Sequence, residues 1–77
     1  MRNKEKEEFA NWIREFRFRM RDRMEYLEMN ATDLSKRSGV SKQSIGKYLS
    51  GENVPNAVHA VKLARALIWS TDQLINF

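Results

Sequence analysis

Gln43 and Lys47 stand four positions apart in the segment Lys42-Gln-Ser-Ile-Gly-Lys-Tyr-Leu-Ser50, so on a helix they share one face, one turn apart. A glutamine amide matches the N6 and N7 edge of adenine, and a lysine ammonium donates to O6 and N7 of guanine. With Ile45 turned inward, Gly46 and Ser50 share the outward face, while Lys42 and Ser44 flank it in the first turn. Lys42, Gln43, Gly46 and Lys47 are therefore the expected contacts to base edges. Gly46 costs roughly 1 kcal/mol against alanine inside a helix. Close approach of a large partner is one reason for it, and simple tolerance is the other.

Backbone N–H groups at helix starts bind phosphate without any side-chain charge. Asn30, Thr32, Ser41, Ser44 and Asn56 fall at or near three such starts, Ser50 lies further along the outward face, and Lys36 supplies a cation. These seven are the expected phosphate contacts. His59 is a lone histidine on a polar helix face, for which a solvated position without a role is expected.

The elements that would position these groups are legible from caps and periodicity. Phe9, Ile13, Phe16, Met20, Met24 and Leu27 recur at steps of three and four, giving a long first helix over about residues 3–28. The arginines between them, Arg14, Arg17, Arg19, Arg21 and Arg23, read as a solvated face. Asn30 caps a second helix of barely two turns that Gly39 stops, and Ser41 caps a third over residues 42–50 that Gly51 stops. Val40 can staple against Ile45. Asn56 caps a fourth helix with the stripe Ala57, Ala60, Val61, Ala64, Leu67 and Ile68, and Ser70 caps a fifth over 71–76 that buries Leu74 and Ile75. The helix pair around Ser38-Gly-Val-Ser41 has the pattern of a helix-turn-helix, with Leu34, Val40, Ile45, Tyr48 and Leu49 on its buried side. Ser35 is small where the helices cross, and Gly39 suits a turn at positive φ.

Composition narrows the function classes. A chain of 77 residues supports one core. It has no cysteine and a single histidine, which excludes a disulfide framework and leaves no ligand cluster for a metal; no cofactor is expected. No apolar run approaches the roughly 18 residues that span a bilayer, and no apolar signal-peptide core follows the charged start, so no membrane partner is expected and residence is expected in the cytoplasm, at the nucleoid. The net charge is +4. Residues 1–28 nearly balance, with eight Lys/Arg against seven Asp/Glu, whereas residues 29–52 carry Lys36, Arg37, Lys42 and Lys47 against Asp33 and Glu52. The excess falls where the helix-turn-helix lies and suits an anionic partner. Without a nucleophile–base arrangement or a glycine-rich phosphate loop, an enzyme is not expected.

Leu34, Ser35, Gly39-Val40-Ser41, Ile45, Gly51, Pro55 and the tail from Ala64-Arg-Ala-Leu67 to Asp72-Gln-Leu74 resemble the phage repressor and Cro family of helix-turn-helix regulators, also called the xenobiotic-response-element family. The likeness covers about residues 16–75. It implies an all-α, compact five-helix, lambda-repressor-like domain that binds double-stranded operator DNA as a homodimer. Residues 16–77 would form that domain, and residues 1–15 a helical extension continuous with its first helix. Two departures stand out. Ala31 occupies the position where the family often has a phosphate-gripping glutamine. Met24 and Leu49 occupy positions where many members pair arginine with glutamate, which suggests an apolar contact in place of the ion pair.

Phe9, Trp12, Phe16 and Phe18 exceed what one helix face can hide, and Trp69 and Phe77 lie at the other end of the chain. Either the extension folds back on Trp69 and Phe77, or the apolar surface is a dimer interface. The leading expectation is a phage- or prophage-type repressor. The alternative is an antitoxin-like regulator on the same fold that binds another protein through the first helix or the Trp69 surface.

Overall fold

The computed structural model describes residues 2–77, with side chains from Lys4 onward, so Met1 of the expected extension lies outside it. Among the described residues the chain forms five helices and no strand: α1 (Arg2–Tyr26), α2 (Ala31–Ser38), α3 (Lys42–Ser50), α4 (Ala57–Ala66) and α5 (Thr71–Ile75). The expected all-α, five-helix class is the one observed. No described helix is long and apolar enough to cross a membrane.

Each short helix starts at the residue whose side chain can replace a missing backbone partner. Asn30, Ser41, Asn56 and Ser70 accept from the N–H groups of Asp33, Ser44, His59 and Gln73, respectively. Gly39 at φ 78° ends α2 and Gly51 at φ 82° ends α3, a backbone conformation that costs glycine nothing. The turn between them is further tied by Ser35 Oγ donating to Val40 O at 2.7 Å and Val40 N donating to Ser38 Oγ at 3.0 Å. Ser35 therefore acts through its hydroxyl as well as its small size.

Phe16, Met20 and Met24 of α1 meet Leu34, Val40, Ile45 and Tyr48 of the helix-turn-helix and Leu63, Ala64, Leu67 and Leu74 of the last two helices in one core. Met24 is buried and Leu49 is half-buried against that same core.

Three expectations about elements are corrected. The first helix ends at Tyr26 rather than 28, because Glu28 takes φ 56° and turns Met29 into the core, with Met29 N donating to Met24 O at 2.8 Å. No glycine marks this stop. In α4 the buried stripe is Ala60, Leu63, Ala64 and Leu67, while Ala57, Val61 and Ile68 are exposed. Leu63 draws the helix round to the core, and the helix ends before Ile68, which sits at φ 57°. The fifth helix ends at Ile75, with Leu74 buried and Ile75 only half-buried.

The extension runs straight on as part of α1, and of the two C-terminal rings it reaches Phe77. A 25-residue helix is about 37 Å long at 1.5 Å per residue, which accounts for most of the 41 Å long axis over a body 22 Å across in both short directions. The radius of gyration, 12.4 Å, slightly exceeds the roughly 11.5 Å expected for this length, as an overhanging helix requires. Trp12 does reach the C-terminal segment. Its ring stacks on Phe16 and Phe77 at 5.2 and 5.7 Å, and its Nε1 donates to Ile75 O at 3.1 Å. Phe9, one turn earlier, remains exposed, and Trp69 is met by Arg23 rather than by the extension.

Candidate nucleic-acid interface

The outward face of α3 is built as its residue pattern requires. Ile45 and Tyr48 are buried, which leaves Lys42, Gln43 and Gly46 exposed and Lys47 and Ser44 half-exposed. A Cβ added at Gly46 would meet nothing within 4 Å, so the glycine answers no intramolecular demand. The side-chain hydrogen bonds of this helix run through its ends. Ser41 Oγ accepts from Ser44 N at 3.1 Å and donates to Ser44 Oγ at 2.9 Å, and Ser50 Oγ donates to Lys47 O at 3.0 Å and accepts from Glu52 N at 3.3 Å. Ser50 is thus exposed at the C-terminal end, with its hydroxyl engaged by local backbone, whereas Ser41 and Ser44 stand at the N-terminal end.

The three candidate anion-binding helix starts are not equivalent. Asn30 is exposed, but its Oδ1 and its N–H are both engaged by Asp33 in a reciprocal box, which places a carboxylate in the first turn of α2. The first turns of α3 and α4 carry no acid. An aspartate already compensates the positive end of the α2 dipole, so an anion gains more at α3 and α4. Thr32 is half-buried beside Asp33, Lys36 is exposed in the last turn of α2, and exposed Asn56 accepts from His59 N at 2.8 Å.

The arginines of α1 are the residues that the solvated-face reading missed. Arg17 Nε and Arg21 Nη2 both donate to Leu49 O, at 2.8 and 3.3 Å. Arg23 donates to Leu67 O at 2.9 Å and Ile68 O at 3.3 Å, and Arg19 donates to Gln73 O at 3.3 Å while pairing with Glu15 at 2.8 Å. One helix thereby supplies cations to the C-terminal carbonyls of three others, where unpaired C=O groups concentrate negative charge. Arg17 and Arg21 hold the far end of α3 to α1, fixing the helix that carries Gln43 and Lys47.

His59 is likewise not idle. Its Nδ1 lies 2.6 Å from the Tyr48 hydroxyl and its ring meets the phenol edge-on, which ties the start of α4 to α3. Burial raises the Tyr48 pKa above the usual phenol value, because it disfavours the charged phenolate.

An α2–turn–α3 pair with its second helix turned outward, braced by three further helices, defines a helix-turn-helix DNA-binding regulator. The chain belongs to the Cro/C1-type helix-turn-helix family, whose model, described as helix-turn-helix, matches residues 20–74. No curated protein and no solved structure matches the chain.

Proposed function

We propose that the chain is a sequence-specific, phage- or prophage-type repressor that occupies operator DNA as a homodimer, with α3 in the major groove. Gln43 and Lys47 read purine edges, Lys42 assists, and Gly46 lets the helix axis come close. Ser41, Ser44 and Asn56 present the acid-free starts of α3 and α4 to phosphates, with Thr32, Asn30 and Lys36 contributing from α2 and Ser50 from the end of α3. The observation that carries this reading is the exposed face of α3. It combines donors for base edges with an interior glycine that no contact within the fold explains.

The test starts from a duplex selected out of a random pool, set against its scrambled counterpart at one salt concentration. Removing a base contact with Gln43→Ala or Lys47→Ala lowers affinity for the selected duplex by roughly 1–3 kcal/mol and relaxes preference at one position. Equal losses on both duplexes would reduce these residues to electrostatic anchors. Wild-type affinity falls with salt at a log–log slope of about −0.9 per phosphate contacted. No binding even at low salt would favour the antitoxin-like reading, in which Phe9 or the Trp69 surface engages another protein.

A further inference from the structure

The outer face of α4 is an apolar stripe edged by cations, and the fold covers neither. Ala60, Leu63 and Ala64 turn into the core. Val58, Val61, Lys62 and Arg65 therefore lie on the opposite side, at the i, i+3, i+4 and i+7 spacing of one helical stripe. Val58 is 60% exposed and Val61 36%. With Ala57 and the stems of Lys62 and Arg65 they line a shallow groove of about 390 Å³. Valine loses χ1 freedom in a helix, so two of them on a solvated face weaken α4 rather than strengthen it.

The charges that line the groove indicate what it can hold. Both are cations, and α4 contains no aspartate or glutamate. Among the described residues the ion pair joins Arg19 to Glu15, so Lys62 and Arg65 have no carboxylate partner within the fold. Three residues apart on a helix, they stand about 5–6 Å from each other, which matches two carboxylates at i and i+3 or i+4 of a second helix. DNA suits this face poorly, because phosphates would be laid against two aliphatic side chains at its centre. A membrane suits it poorly as well, since interfacial helices bury Trp, Phe or Leu and lipid-binding clusters carry about four or more cations. A helix with an apolar stripe edged by acids satisfies both halves of the groove at once.

We propose that the outer face of α4 docks an acidic amphipathic helix of another protein, with its apolar residues on Val58 and Val61 and its carboxylates on Lys62 and Arg65. None of these four residues belongs to the proposed DNA contacts, so the docking holds whether or not α3 reads an operator. The stripe lies on a helix of ten residues, about 15 Å long, and is small against the roughly 800 Å² per partner of a stable specific interface. The contact is therefore weak, and its test needs a readout that registers weak binding.

A synthetic peptide of about 18 residues, long enough to hold a helix in water, carries leucine at i, i+3, i+4 and i+7 with glutamate along both edges of that stripe. Its twin carries lysine in place of the glutamates. Each is titrated into the isotope-labelled full-length chain and followed by amide chemical shifts, after the melting of every variant has been matched to wild type. The glutamate peptide shifts Val61, Lys62 and Arg65 and binds on the order of ten-fold or more tighter than its twin. Lys62→Glu with Arg65→Glu reverses that preference. Lys4→Glu with Lys6→Glu, the same change of net charge on exposed positions of α1, leaves it standing. Val58→Lys weakens binding although it adds a cation, because it removes the apolar seat. Equal affinity for the two peptides, equal loss from the two charge reversals, or tighter binding by V58K would overturn the proposal. So would shifts at Val61, Lys62 and Arg65 that are larger with a mixed-sequence duplex or with phosphatidylserine vesicles than with the glutamate peptide, which would assign the stripe to nucleic acid or to a membrane.

Discussion

Gly39 and Gly51 both sit at positive φ, 78° and 82°, yet alanine should cost very different amounts at the two positions. A left-handed conformation costs an L-residue roughly 1–2 kcal/mol, and alanine returns about 0.4–1 kcal/mol by stiffening the unfolded chain. At Gly39 an added Cβ meets nothing within 4 Å, so Gly39→Ala loses only the balance, about 1 kcal/mol. At Gly51 the same Cβ would stand 3.0 Å from Arg17 Cδ and 3.3 Å from Ile13 Cγ2. Arg17 must move, which weakens its 2.8 Å bond to Leu49 O. A charge-assisted bond contributes about 1.5–3 kcal/mol at full strength, and Arg17 is half-exposed, so the added loss is about 1–2 kcal/mol. Gly51→Ala should therefore cost about 2–3 kcal/mol in all, and each kcal/mol lowers the melting midpoint by about 4–8 °C in a domain of this size. Urea and thermal unfolding of both variants measure this. Arg17→Ala and the double variant complete a cycle in which the arginine and the glycine couple by about 1 kcal/mol. Equal destabilisation at the two glycines, or additivity of Arg17→Ala and Gly51→Ala, would refute the argument that Arg17 is clamped against the end of α3.

Ile68 is a β-branched residue at φ 57° whose side chain is 67% exposed, so it is strained for little burial. Ile68→Gly should raise stability by about 1 kcal/mol, since glycine is the preferred residue in this helix-ending position, and a lowered melting midpoint would show that the isoleucine earns its place through contacts. Tyr48 has a folded-state pKa above its unfolded value of 10.0 because burial disfavours the phenolate. Its contribution is complete below pH 10 and is lost as pH rises from there through the folded pKa, because only the unfolded chain ionises in that window. The difference in urea stability between wild type and Tyr48→Phe should therefore shrink or reverse above pH 10, and a difference independent of pH up to 11 would contradict it.

Much of this protein is legible in its sequence, and the legible part is local. Asn30, Ser41, Asn56 and Ser70 each satisfy a backbone donor three residues ahead, and Gly39 and Gly51 adopt a conformation that their own lack of a Cβ permits. Such signals act within one turn of chain, so the residues alone specify them. The same short range located Lys42–Ser50 and the outward phase of Gln43, Gly46 and Lys47. What tertiary structure decided spans the chain. Leu63 rather than Val61 faces the core, because the phase of an alanine-rich helix depends on what lies opposite it. Met29 is buried only because Glu28 turns the backbone where no glycine announces it. Arg17 and Arg21 reach Leu49 O across 32 and 28 residues, Arg23 reaches Leu67 O across 44, and Trp12 reaches Ile75 O across 63. Every residue has a carbonyl, so a side chain that ends on one leaves no mark at the accepting position in the sequence, and only the assembled helices select which carbonyl it meets.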